Sequence, residues 1–114
     1  MSANKRAWTL AGARALLVDV RERTGHAVVE AERWQAVRDN ADATQEEHLA
    51  AEQKLQRCVS LWLREMEALG LEVKGAWLVD FDNGSGYYCW RWPETELEFV
   101  HGYDEGFEDR ARIQ

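Results

Sequence analysis

Three side chains in the C-terminal third carry the donor atoms of a transition-metal site: the Asp80 carboxylate, the Cys89 thiol and the His101 imidazole. Thiolate, imidazole and carboxylate together suit zinc or iron. Their separations match no zinc-finger spacing, so convergence has to come from strands laid side by side. The competing reading makes Cys89 a small buried hydrophobe and His101 a local hydrogen-bonding group. Cys89, His101 and Asp104 can also be drawn as nucleophile, base and orienting acid. A reactive thiol needs basic neighbours. Only His101 and Arg91 supply them here, inside an acidic segment with no glycine-rich elbow, so an enzyme is the least supported class.

Two further spacings are weaker. Asp80-x-Asp82-x-Gly84 has the start of a calcium loop, but its twelfth position is Arg91 rather than glutamate. A hairpin turn explains the same residues. Glu98-x-x-His101 has the spacing of di-iron carboxylate bundles, where it works on a helix. In a strand the two side chains point to opposite faces. His26 and His48 read as solvated.

The elements that position these groups follow from composition and periodicity. The chain has 114 residues and a net charge of −7, enough for one domain. Residues 1–70 carry ten Lys/Arg against eleven Asp/Glu, and residues 71–114 carry four against ten. No basic footprint for nucleic-acid phosphates results. No stretch approaches the ~20 apolar residues of a membrane span. MSANKRAW has no apolar run behind its charges, and Cys58 and Cys89 stand far apart without a CxxC. A cytoplasmic protein with reduced thiols is expected.

Thr9 caps an expected helix over 9–40, with Leu10, Ala13, Leu17, Val20, Ala27, Ala31 and Trp34 recurring every three or four residues. Thr24-Gly25 interrupts the stripe, a mid-helix glycine costing about 1 kcal/mol relative to alanine, and the segment still reads as one long helix. Thr44-x-x-Glu47 fits a capping box for a second helix over 44–69. Leu55, Val59, Trp62, Met66 and Leu69 form its stripe, and Gly70 its left-handed terminator. The short link predicts a long antiparallel helical hairpin.

The C-terminal third reads as a three-stranded antiparallel β-meander over 76–101, giving an α+β fold. Leu71–Lys74 is a short alternating stretch read as linker. Asp82-Asn83-Gly84-Ser85-Gly86 is turn chemistry. In the strand after it, Tyr88, Trp90 and Trp92 share one face, while Tyr87, Cys89 and Arg91 share the other. The Trp90 face is expected to lie on the helices. Residues 102–114 read as a polar tail anchored by Phe107.

The runs GAWLVDF, YYCWRW and EFVHGYDEGF, followed by Arg110, resemble the signature of an uncharacterised prokaryotic family, domain of unknown function 2203. The opening WTLAGARALL is similar to that family's start. The resemblance implies a helical arm with a C-terminal strand region and no established activity. It points at Asp80, Phe81, Cys89, Trp90, His101, Gly106, Phe107 and Arg110.

The expectation is a non-catalytic interaction or scaffold module that self-associates as a homodimer through its helices, with no cofactor. The alternative is a metal- or small-ligand-binding protein, holding a divalent transition metal on Asp80, Cys89 and His101. Asp80, Cys89, His101, Asp104 and Arg110 are the ligand or partner candidates.

Overall fold

The computed structural model describes residues 7–114. Helix α1 spans Leu10–Arg38, and the Thr9 hydroxyl accepts from the Gly12 amide. Helix α2 spans Gln45–Ala68 behind a reciprocal capping box of Thr44 and Glu47. It ends at Gly70, which has φ 90°. Backbone bonds from Leu71 to Met66 and from Gly70 to Glu67 close the last turn as a Schellman motif.

Helix α1 runs straight through Thr24-Gly25 as one long helix. Thr24 is completely buried, and its hydroxyl accepts from the Trp62 indole at 2.8 Å. Gly25 leaves room for the Trp92 ring, which a Cβ would meet at 3.0 Å. The two residues are a junction rather than a weak point. His48 is half-buried, with Nε2 2.7 Å from the Asn40 carbonyl of the interhelical link.

The sheet has five strands rather than three: β1 (Glu72–Gly75), β2 (Leu78–Asp82), β3 (Tyr87–Arg91), β4 (Phe99–His101) and β5 (Ala111–Arg112). All neighbours are antiparallel and the order follows the sequence. The presumed linker is β1, paired with β2. The presumed tail forms a 3-10 turn, Phe107–Asp109, and then β5 against β4. The third strand begins at Phe99 rather than Glu96, because the preceding loop is claimed by α1. Arg14 donates to the Leu97 carbonyl at 3.1 Å and Arg21 to the Glu94 carbonyl at 3.0 Å.

Val79, Phe81 and Trp90 turn one sheet face onto the helices. There they join Trp8, Leu17, Val20, Trp62, Met66 and Leu97 in one core. Burying such side chains contributes roughly 1.5–3 kcal/mol each. Most of the aromatic density is therefore packing, as strand alternation implied. Farther out the helices bury only against one another, through Val28, Ala31, Ala51 and Leu55. Ala50, expected at that contact, is exposed.

Candidate metal centre on the outer face of the sheet

Cross-strand partners project to the same side of a sheet. Register pairs Asp80 with Cys89, Cys89 with Phe99, and Tyr87 with His101. Asp80, Cys89 and His101 therefore share the face turned away from the helices, on three adjacent strands. One donor atom from each lies within 4.8 Å of the other two. Despite facing outward, Asp80, Cys89 and His101 are only 1%, 1% and 6% exposed.

The histidine is oriented by its own backbone. Nδ1 lies 2.9 Å from the Gly102 carbonyl, which can only accept. That contact places the ring proton on Nδ1 and leaves Nε2 to face Asp80 Oδ2 at 2.9 Å. Among the described residues, the Asp80 oxygens have only the Cys89 thiol and His101 Nε2 as close polar neighbours, and neither meets them in good hydrogen-bond geometry. A buried carboxylate in that state is costly. Burial raises the Asp80 pKa above the usual carboxylate value, against the opposing pull of Cys89 and His101. Burial, and then the Asp80 charge, push the Cys89 thiol up to about 12. The thiol is thus held protonated, the reverse of a nucleophile's requirement. Asp104 sits exposed in a turn, and the carboxylate beside His101 is Asp80, so the triad drawn with Asp104 is not assembled.

A cover lies over Cys89. The Arg110 guanidinium is stacked 4.1 Å from the Phe99 ring centroid and 4.0 Å from that of Phe107. Its fork meets Glu94 at 3.1 and 2.9 Å, and one nitrogen lies 4.0 Å from Cys89 Sγ. Burial works against the Arg110 charge, but the Glu94 bonds outweigh it and raise the pKa. Along the other edge, the Tyr87 ring lies 5.4 Å from His101, and its hydroxyl donates to Glu72 at 3.0 Å. Tyr103 donates to Asp82 at 2.6 Å; this bond pushes its phenol up to about 12.

Of the candidates read from sequence, Asp80, Cys89 and His101 come together, Arg110 covers them and Asp104 stays outside. Glu98 pairs with Arg112 instead of joining His101. Asp82 accepts from the Gly84 amide within the hairpin turn. Glu94 and Tyr87 were not among the candidates. Alternation put Tyr87 on the Cys89 face, a usable signal; Glu94 looked like an ordinary turn residue.

The chain matches a family of uncharacterised conserved proteins, DUF2203, over residues 6–113. It belongs to that family. No curated protein matches the chain, and no solved structure does. Membership of DUF2203 confirms the resemblance carried by GAWLVDF, YYCWRW and EFVHGYDEGF. Among the described residues, no helix of this DUF2203 protein is long and apolar enough to cross a membrane.

In this DUF2203 chain the donor set fits a borderline-soft divalent ion better than calcium or magnesium, which take oxygen ligands. Zinc–sulfur bonds of about 2.3 Å and zinc–nitrogen bonds of about 2.0 Å set tetrahedral donors roughly 3.3–3.8 Å apart. To reach that, the Asp80–His101 pair at 2.9 Å would open by a few tenths of an ångström, and any donors near the 4.8 Å limit would close by about an ångström. An ion there would lower the thiol pKa and partner both Asp80 and Cys89.

Proposed function

We propose that this protein binds one divalent transition metal ion, with zinc the best fit, through the Asp80 carboxylate, the Cys89 thiolate and His101 Nε2. The observation that carries this reading is the convergence of three buried donors of different chemistry on three adjacent strands, one atom of each within 4.8 Å of the other two. The ion staples β2, β3 and β4 together. Its role is structural, in a non-catalytic interaction module. The two helices of that module are read as an antiparallel hairpin. Contacts of Thr24 with Trp62, Ala27 with Cys58, and Arg38 with Glu52 support this.

Protein purified without an affinity tag and stripped with chelator is titrated with zinc, and with cobalt(II) as a spectroscopic probe. One ion per chain is expected, with thiolate-to-cobalt charge transfer in the near ultraviolet. Asp80→Asn, Cys89→Ser and His101→Ala each weaken binding at least about 100-fold, the scale of losing one of three ligands. Failure of the wild type to take up either ion, or equal uptake by all three variants, would sink the reading.

A further inference from the structure

The helical arm carries a second feature, independent of the metal centre. The chain's radius of gyration is 16.3 Å and its long axis 50 Å, against about 13 Å for the radius of gyration of a compact domain of this length. The sheet covers one end of the helices. Past it, the seam between α1 and α2 opens as a groove on one side, from Arg23 to Trp34 on α1 and from Lys54 to Glu65 on α2. At 1.5 Å per residue that is about 16 Å of helix.

The groove has a floor of small side chains and shoulders of large ones. Ala27 and Cys58 form the hollow, with the Cys58 thiol donating to the Ala27 carbonyl at 3.3 Å. Val29 and Leu61 stand beside it 68% and 52% exposed. The rim carries Arg23, Lys54 and Arg57 against Glu30 and Glu65. In a chain of net charge −7, this is a patch where two copies meet without like-charge repulsion. An isologous contact applies one patch to itself, so the patch must bring both hollows and knobs, and both signs of charge. This groove brings all four.

We infer that the α1–α2 groove is the contact between two copies of this chain, with Leu61 and Val29 of each copy seated on the Ala27–Cys58 hollow of the other. The result is a four-helix arrangement that leaves both sheets and both metal centres free.

Analytical ultracentrifugation of the full chain, from low to high micromolar concentration, tests this. The wild type is expected at twice the 13.2 kDa of one chain. Leu61→Asp and Val29→Asp should each weaken the dimer at least about 100-fold, with unchanged far-ultraviolet circular dichroism. Val18→Asp, at a position 72% exposed but outside this groove, should remain dimeric. A wild type at single-chain mass throughout would overturn the inference and give the groove to a different helix. A dimer broken by Val18→Asp but not by the two groove variants would overturn it by moving the contact elsewhere.

Discussion

His101 presents Nε2 to Asp80 at 2.9 Å while Nδ1 is held at the Gly102 carbonyl. The pair is therefore already oriented, and at the proposed centre binding would spend little on ordering side chains. Zinc at 100 times its dissociation constant should stabilise the wild type by about 2.7 kcal/mol. Thermal melts with and without zinc read this directly. Cys89→Ser should show a much smaller shift. An equal shift in both proteins would locate the bound zinc elsewhere.

The buried thiol sets an alkaline limit on the metal-free protein. The folded state keeps the Cys89 proton until about 12, against an ordinary value of 9.0. The unfolded chain releases it near the ordinary value. The contribution is therefore intact below pH 9 and is lost as pH rises from 9 towards 12. At full extent this loss is on the order of 4 kcal/mol. Tyr103, also raised to about 12, adds a loss of the same sign. Denaturant unfolding from pH 8 to 11 should show Cys89→Ala losing stability less steeply than the wild type. Parallel slopes would contradict the assignment.

Trp62 and Thr24 anchor the two helices in the dry interior. Thr24→Val leaves the Trp62 indole N–H without its acceptor and should cost about 1–3 kcal/mol in urea unfolding. Thr24→Ser keeps the oxygen and should cost less. The reverse ranking would mean that the threonine methyl, not the hydrogen bond, holds the junction.

Gly86 lies against β4. A Cβ there would sit 2.6 Å from the His101 carbonyl oxygen, a backbone atom that yields only if the strand moves. Gly86→Ala should destabilise the fold by roughly 2 kcal/mol or more and weaken cobalt(II) binding by displacing His101. Unchanged stability and binding would show that the hairpin end accommodates the methyl group.

Arg110 pins the last strand. Arg110→Ala should free residues 107–112, raising amide exchange of Ala111 and Arg112 about tenfold, the equivalent of ~1.4 kcal/mol. Exchange in α2 should stay as in the wild type. Glu94→Gln keeps the shape and weakens the fork, so it should fall between the two. No change at β5 would mean that ladder pairing alone holds it.

The helix ends were legible because capping is local: Thr9, the Thr44–Glu47 box and Gly70 each act within a few residues. The two central strands were legible through alternation and the turn at 82–86. The structural role of Thr24 was not legible because its partner, Trp62, lies 38 positions away. Strand β5 was missed because two residues hold no pattern, and their place is set by pairing with β4 across an intervening loop. The donor types at Asp80, Cys89 and His101 could be read directly. Their convergence could not, since it follows from the cross-strand register. Asp104 stays in an exposed turn apart from the cluster, because chain proximity to His101 says nothing about where a turn points.

Since each strand pairs with its immediate predecessor, the sheet can grow by successive hairpins as the chain emerges, without waiting for a distant segment. The donors arrive in the order Asp80, Cys89, His101, and only afterwards comes Arg110 to close over the thiol. At the proposed centre, an ion would therefore have to enter before Arg110 settles over the thiol, or while that cover is transiently lifted. The lifting of Arg110 from Glu94, rather than the affinity of the three donors, would then set how fast the finished protein is loaded.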